Sequence, residues 1–312
     1  MANFLSALAD IATNESAYRN AVIAAAVLLF AASGELVAEK AGTINISLEG
    51  MMLAGAFAAA IGVDVAGSTW IGLTFAAVAG LLVAAIQANM SHRLPADQFV
   101  VGLVLNVLVL GLVGFLSSSI DPQSDVVRRV SIPLISRIPL VGPALFDQPW
   151  VLYLVYPLVP LVWWLLYRTR WGLEIRAVGE DPNAADVSGL DVNRRRRQAI
   201  YLTGIVAGIG GGSFLFARSG RFDDSLIGGR GYIAIAAVIF GGWTLKGTVA
   251  GCLTFGLVAS FVLTIPSLGY KSIDPSFLAI APNVVTVIAM AVFAKRVRQP
   301  GALARPFMRG LK

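Results

Sequence analysis

The chain has 312 residues, of which 57% are hydrophobic and only 13% are charged, and its mean hydropathy is +0.76. Soluble domains carry about 25% charged residues, so the composition excludes an ordinary soluble protein and indicates one polytopic membrane domain. The net charge of +6 does not indicate nucleic-acid binding, because the basic residues lie in loops between apolar runs. One Cys and one His supply neither a disulfide nor a metal cluster, so we expect no metal and no cofactor on this chain.

Apolar runs recur along the whole chain and predict membrane-spanning helices, each of which needs about 20 apolar residues. In chain order, the predicted spans are Ala21–Val37, Leu48–Val63, Trp70–Met90, Phe99–Leu116, Trp150–Tyr167, Ala199–Ala217, Tyr232–Trp243, Thr248–Ile265 and Pro275–Ala294. A tenth span would require the amino-terminal stretch, where residues 4–12 could instead form an interfacial amphipathic helix. The predicted fold class is therefore all-α, a polytopic membrane helix bundle of about nine to ten spans.

The distribution of basic residues predicts the orientation. With nine spans, 16 of the 24 Lys and Arg residues lie on one side and eight on the other. Because basic residues accumulate on the cytoplasmic side, we expect residues 168–197 to form a cytoplasmic loop. The basic tail, residues 295–312, is then cytoplasmic too. Residues 1–312 are expected to form a single transmembrane domain.

Small residues and a faint internal similarity suggest how the spans pack. Glycines at Gly204, Gly208 and Gly212 are spaced four apart, as are Gly72, Ala76 and Gly80, and such spacing lets helix backbones approach closely. The segments 50–85 and 233–261 share a Leu-Thr-Phe triplet, and the seventh run is short. Both features are typical of an inverted repeat, although three identical residues can also arise by chance.

The stretch from Arg168 to Arg197 carries the clearest local signals. Arg194 to Arg197 are four consecutive arginines, which cannot cross a membrane, so we expect the stretch to lie in water. Its middle predicts a short helix, with Asp181 as N-cap, Pro182 in the first position and Gly189 closing the end. One interpretation is a solvated loop with a single helical turn, and the other is a docking helix on which a soluble partner pushes.

Several polar residues within the apolar runs are candidates for a polar pathway across the membrane. An ionisable residue at membrane depth indicates function by default, so Glu49 is the first candidate; the alternative is a carboxylate that caps a helix start. Asn106 could line the pathway or bond a neighbouring helix. Asn45 and Ser47, just before Glu49, complete the set.

One predicted external loop is crowded with charges. Its charged residues, which could pair with a docking protein or with each other, are Arg218, Arg221, Asp223, Asp224 and Arg230. Gly228–Gly231 lacks the preceding strand and following Lys-Ser/Thr of a phosphate-binding loop, so we expect no nucleotide site. Because no catalytic set of Ser, His and Asp is evident either, the chain is not expected to be an enzyme.

Two motifs resemble the permease subunits of bacterial ABC importers, in the family that serves simple sugars, nucleosides and branched-chain amino acids. The segment from Gly42 to Ala56, GTINISLEGMMLAGA, resembles the nucleoside-type branch; the amino-acid branch typically has Asn-Phe-Ala-His-Gly-Glu there. The segment from Arg176 to Gly189, RAVGEDPNAADVSG, resembles the family's cytoplasmic coupling loop, and Ile235–Gly242 is a weaker match. Glu35 departs from the pattern, since a small or apolar residue is expected there, and if it lines the pathway the cargo differs.

The resemblance implies a mechanism in which this chain performs no chemistry. A separate ATP-binding subunit would bind and hydrolyse ATP at the cytoplasmic face, a second and different permease subunit would complete the pore, and an extracytoplasmic binding protein would deliver cargo. The coupling residues it implies are Gly179, Glu180, Asp181, Pro182, Asn183, Ala184, Ala185, Ser188 and Gly189.

The expected cargo is a nucleoside and the expected location the bacterial plasma membrane, spanned several times. Simple sugars such as ribose, or branched-chain amino acids, are alternative cargoes for the same mechanism. The rival class is a secondary transporter driven by an ion gradient, for which Glu35 and Glu49 would be the coupling groups.

Overall fold

A computed structural model describes residues 13–308 except 95, 121, 123–126, 134–140, 219, 268–283 and 285–298. The helices of this part are α1 (Glu15–Lys40), α2 (Leu48–Ala66), α3 (Thr69–His92), α4 (Gln98–Ser119), α5 (Val141–Phe146), α6 (Val155–Arg168), α7 (Arg170–Glu180), α8 (Pro182–Val187), α9 (Val192–Arg218), α10 (Arg230–Phe240) and α11 (Leu245–Ser267). A short antiparallel hairpin pairs β1 (Arg129–Ser131) with β2 (Asp147–Pro149), and the 3₁₀ turn Trp150–Leu154 leads into α6.

The membrane helix bundle is confirmed. Within the described residues, six segments are long and apolar enough to cross a membrane: α1 to α4, α9, and α6 together with its 3₁₀ turn. They correspond to the first six predicted spans. The shorter apolar helix α10 and the apolar part of α11 with fully described residues, Leu245–Phe261, lie at the seventh and eighth. The ninth span and the helix of residues 4–12 fall outside the described residues, and the inverted repeat stays a prediction.

Helices α1 and α9 form the centre of the bundle. Their most apolar stretches are 83% and 78% buried, whereas those of α3 and α4 are 33% buried. The outer face of α4 exposes large apolar side chains such as Leu103, Val107 and Phe115. In lipid such a face needs no further protein cover, because hydrocarbon tails are as apolar as the side chains.

The glycines of α9 let its backbone contact those of α2 and α3. A Cβ atom on Gly204 would lie 2.5 Å from the carbonyl oxygen of Gly80, and one on Gly55 would lie 2.5 Å from the Cα atom of Gly208. Thr203 Oγ1 also donates to the Gly34 carbonyl oxygen at 2.8 Å. The predicted role of this spacing in helix packing is confirmed.

The substitution Gly204→Val should greatly reduce the amount of folded protein in the membrane. The valine side chain would overlap the backbone of Gly80 and the side chain of Ala84. The matched control is Gly111→Val on α4, where an added Cβ meets nothing within 4 Å. The amount of monodisperse protein extracted in detergent, measured by size-exclusion chromatography, should fall for Gly204→Val and not for Gly111→Val. Equal yields would contradict the close packing of α9 on α3.

The stretch Arg168–Arg197 is more ordered than a loop with one helical turn. Helix α7 occupies its first half and buries Gly172, Ile175, Val178 and Gly179. The arginine run forms the beginning of α9, which starts at Val192 rather than near the predicted Ala199. The expectation that all four arginines lie in water is wrong, because the Arg196 side chain is fully buried.

Candidate functional site

Helix α8 has the local structure that its sequence predicts. The Asp181 carboxylate accepts hydrogen bonds from the backbone N–H groups of Asn183 and Ala184 at 3.0 and 3.1 Å. Pro182 begins the helix, where a missing N–H costs nothing. Gly189 ends it with φ +91°, a conformation that favours glycine, and donates to the Asp186 carbonyl oxygen at 2.9 Å.

Most of α8 faces solvent. Ala185 is its buried residue and packs in a small cluster with Val178, Val192 and Phe307. Asp181, Asn183, Ala184, Ser188 and Gly189 are exposed. The Val187 side chain is 90% exposed, which is unusual for an apolar residue, so α8 presents an apolar point on an otherwise polar surface.

Helix α7 connects α8 to the end of α1. Gly179 lies so close to Lys40 that a Cβ atom would overlap the Lys40 carbonyl group and come within 3.0 Å of the Ala41 carbonyl carbon. An ion pair between Glu174 and Arg195 and a hydrogen bond from Trp171 Nε1 to Gln198 Oε1, at 3.0 Å, attach α7 to α9. A displacement of α8 would therefore reach α1 and α9 through direct backbone and polar contacts.

Glu49 caps the start of a different helix, far away in the sequence. Its Oε1 accepts from the Gly229 N–H and its Oε2 from the Gly231 N–H, both at 2.7 Å. These groups belong to the first turn of α10, where backbone N–H groups lack helical partners and the helix dipole favours a negative charge. Glu49 thus ties the beginning of α2 to the beginning of α10.

Asn106 joins the same region from α4. Its Oδ1 accepts from the Gly50 N–H, and its Nδ2 donates to the Ile46 carbonyl oxygen and the Tyr232 hydroxyl, all at 2.8 Å. Asn106 lies eight residues into α4, about 12 Å along the helix at 1.5 Å per residue. The starts of α2 and α10 therefore lie within the bundle rather than at its surface, and α10 spans only part of it.

Asn45 and Ser47 hold the connection between α1 and α2. The Asn45 N–H donates to Glu35 Oε1 at 3.0 Å, and Ser47 Oγ donates to Asn45 Oδ1 at 2.7 Å. Both side chains are fully buried. The departure from the family pattern at Glu35 therefore adds a hydrogen bond that fixes this connection.

Glu35 and Glu39 form a buried pair one helical turn apart on α1. The Trp243 indole N–H donates to Glu39, whereas Glu35 Oε2 and Glu39 Oε1 are buried and have no hydrogen-bond partner among the described residues. The pair links α1 to the turn between α10 and α11, where Trp243 adopts φ 52°.

All four pathway candidates thus have partners inside the subunit. Asn45, Ser47, Glu49 and Asn106 form one polar network among α1, α2, α4 and α10, which we call the mid-bundle network. The contacts of Glu49 favour the capping alternative, and those of Asn106 favour bonding between helices. A role in lining the pathway stays a prediction.

Two polar residues at the α8 end of the bundle were missed by the sequence interpretation. His92 ends α3 in a buried position, and its Nε2 lies 2.9 Å from Thr43 Oγ1. Arg196 contacts three backbone carbonyl groups. An isolated His or an arginine run gives no sign of such distant partners.

The opposite end of the bundle carries a basic cavity of about 220 Å³. Arg129, Arg218 and Arg230 line it, and the last two stack over the Phe214 ring at 5.6 and 4.5 Å. Asp224 accepts from Ser117 Oγ on α4 at 2.9 Å. Asp223 accepts from the hydroxyl and the N–H of Ser225, which lowers the pKa of its carboxyl group.

Comparison with known families and proteins decides the class of this chain. The family model described as "branched-chain amino acid transport system / permease component" matches residues 18–298. The chain belongs to this family. The resemblance inferred from the two motifs, to a permease subunit of an ABC importer, is thereby confirmed, and so is a multi-pass protein of the bacterial plasma membrane.

The similar proteins cover nearly the whole length. The chain is 36% identical to the nucleoside ABC transporter permease protein NupC of Lactococcus lactis subsp. cremoris, over 91% of this chain and 93% of that protein. It is 33% identical to the guanosine ABC transporter permease protein NupQ of Bacillus subtilis, over 93% and 95%. It is 37% identical to the putative glucose ABC transporter permease protein TsgC13 of Haloferax volcanii, over 82% and 79%. These relatives are permease subunits rather than enzymes.

Proposed function

We propose that this permease imports nucleosides, and that a separate ATP-binding subunit drives it by pushing on α8 from the cytoplasm. The observation that carries the proposal is the geometry of α8, a short helix capped at both ends that presents the 90% exposed Val187 to solvent. A rigid helix held at both ends can transmit a push without any chemistry of its own.

The coupling role extends to the residues around α8. Gly179 and Glu180 lead into it, and Gly179 touches α1. Asp181 and Pro182 fix its start, Ala185 anchors it, and Ser188 and Gly189 fix its end. Asn183 and Ala184 are exposed beside Val187 and would contact the partner.

Two further partners complete the proposed transporter. A second permease subunit of a different sequence, as the resemblance to the nucleoside branch implies, would pack in the membrane beside this one. An extracytoplasmic binding protein would deliver the cargo at the opposite end. The basic cavity there would receive acidic side chains of that protein, because its three arginines leave a positive surface.

The proposed cargo rests on the relatives. NupC is named for nucleosides and NupQ for guanosine, and the GTINISLEGMMLAGA segment resembles the same branch. A simple sugar is the second candidate, because TsgC13 is named for glucose and is 37% identical. Branched-chain amino acids, named in the family description, would require a different sequence before Glu49.

The rival class, a secondary transporter, fits the polar contacts less well. Coupling to an ion gradient needs ionisable groups that can change partners. Both oxygens of Glu49 accept backbone N–H groups, and Glu35 accepts the Asn45 N–H. Fixed contacts of this kind suit groups that hold helix ends.

Uptake by a deletion strain tests the cargo. The strain should lose uptake of labelled nucleosides while retaining uptake of ribose and leucine, and a plasmid carrying the wild-type gene should restore it. Loss of ribose or leucine uptake instead would contradict the nucleoside assignment while leaving the ATP-driven mechanism in place.

A further inference from the structure

Residues 299–308 cross the α8 end of the bundle as a strap. The Ala302 N–H donates to the Gly179 carbonyl oxygen at 2.9 Å, and the Ala304 N–H donates to the Gly42 carbonyl oxygen at 3.0 Å. A Cβ atom on Gly301 would lie 2.6 Å from the Glu180 carbonyl oxygen. The strap therefore touches both the α7–α8 junction and the connection between α1 and α2.

The end of the strap also reaches the buried side of α8. Phe307 packs against the cluster of Val178, Ala185 and Val192, which anchors α8. Its carbonyl oxygen accepts a hydrogen bond from Asn193 Nδ2 at 3.4 Å. Between the strap and the first turn of α8 lies an open cleft of about 400 Å³. The strap thus supports α8 at Ala185, its buried residue.

Arg196, on α9, binds the strap through hydrogen bonds. Its Nε donates to the backbone carbonyl oxygen of Ala41 at 3.1 Å. Its Nη1 and Nη2 donate to the backbone carbonyl oxygens of Arg305 and Ala302, at 2.7 and 3.4 Å. A fully buried guanidinium is costly unless its donors are satisfied. Here one side chain of α9 binds the end of α1 and two positions of the strap.

These contacts form one continuous path from α8 to the mid-bundle network. Gly42, with φ +86°, lies among Arg196, Ala302 and Gly179. Three residues later, Asn45 binds Glu35, and the same connection leads to Glu49 and α10. The strap adds a second connection from the α7–α8 junction to Gly42, beside the direct contact of Gly179 with Lys40 and Ala41. A loose strap would therefore weaken the transmission of a displacement from α8 to Gly42, because packed and bonded elements transmit it.

We propose that the strap and Arg196 are positioning elements, which hold α8 in register with the α1–α2 connection so that a push on α8 moves the mid-bundle network. The inference rests on the proposed coupling role of α8. It assigns to the strap a role in transmission, separate from binding of the ATP-binding subunit. Arg196 acts through α8 and Gly42 and touches no cargo.

Reconstitution of the complete transporter in liposomes tests the proposal. Deletion of residues 299–312 and Arg196→Met should each leave the ATP-binding subunit attached and hydrolysing ATP. The number of cargo molecules imported per ATP should fall about tenfold or more. Arg196→Lys, which keeps the charge but loses the fork of donors, should give an intermediate ratio. Arg194→Lys, an exposed neighbour on α9, is the matched control and should resemble the wild type.

A spin-label measurement checks the positioning without the partner. Val187→Cys on α8 and Val65→Cys at the far end of α2 are exposed labelling sites, whereas the native Cys252 is buried. In the permease alone, deletion of the strap should broaden the distribution of distances between the two labels. If Arg196→Met does not insert into the membrane, the deletion variant decides both measurements.

Three results would overturn the proposal. An unchanged ratio with an unchanged distance distribution would mean that the strap plays no part. Loss of the ATP-binding subunit from an inserted deletion variant would make the strap a binding surface instead. A parallel fall of ATP hydrolysis and cargo import, at a constant ratio of the two, would also indicate that the strap serves binding of the ATP-binding subunit. Absence of ATP-driven import by the wild type would instead contradict the proposed function, and the distance distribution would still test the positioning of α8.

Discussion

The substitution Val187→Asp should abolish ATP-driven uptake while leaving the amount of folded permease unchanged. Val187 is 90% exposed, so a carboxylate there is solvated in the free subunit. In the proposed interface it would be buried without a partner, which costs several kcal/mol and should weaken binding of the ATP-binding subunit by about 30-fold or more.

Co-purification and uptake measure this effect. The ATP-binding subunit should no longer co-purify with the Val187→Asp permease, and uptake in cells should fall with it. The matched control is Val65→Asp, which changes a valine in the last turn of α2 that is 75% exposed and lies outside the proposed interface. Normal co-purification of the Val187 variant would exclude α8 as the docking element.

The substitution Glu49→Gln should slow transport strongly and destabilise the protein. A glutamine offers one acceptor oxygen where Glu49 offers two, so one of the N–H groups of Gly229 and Gly231 loses its partner. A buried unsatisfied N–H costs about 1–3 kcal/mol, and the lost charge at the start of α10 adds to the cost. We therefore expect transport to fall about tenfold or more.

Two other variants separate capping from a direct role of Glu49 in the pathway. Tyr232→Phe removes the hydroxyl that binds Asn106 and should reproduce part of the thermal destabilisation, because it loosens the same start of α10. Glu15→Gln, in the exposed first turn of α1, is the matched control. A Glu49→Gln protein with wild-type thermal stability but altered cargo selectivity would contradict the capping role and support the pathway role.

Local signals predicted α8 because its start and end depend on neighbouring residues. Asp181, Pro182 and Gly189 each act within a few positions, so their pattern is readable in the sequence. The apolar runs predicted the six long helices for the same reason. Helix α7 was missed because the basic residues of its segment indicated a loop, although the segment also has an amphipathic pattern.

Contacts between distant segments could not be predicted in this way. Glu49 binds residues 180 and 182 positions away, and Arg196 binds a carbonyl 155 positions away. Nothing near Glu49 specifies that its partner is the start of α10, so both a capping role and a pathway role were compatible with the sequence. The burial of Arg196 was missed because the cost of burying arginine is offset by three carbonyl groups from elsewhere in the chain.

Uptake by purified, reconstituted transporter tests the central claim most directly. Liposomes containing the permease subunits, the ATP-binding subunit and the binding protein would be loaded with ATP and given labelled nucleoside. An ionophore would collapse every ion gradient. The account predicts uptake that requires ATP, persists with the ionophore and is lost in the Val187→Asp variant. Uptake that proceeds without ATP and collapses with the ionophore would contradict it and identify a gradient-driven transporter.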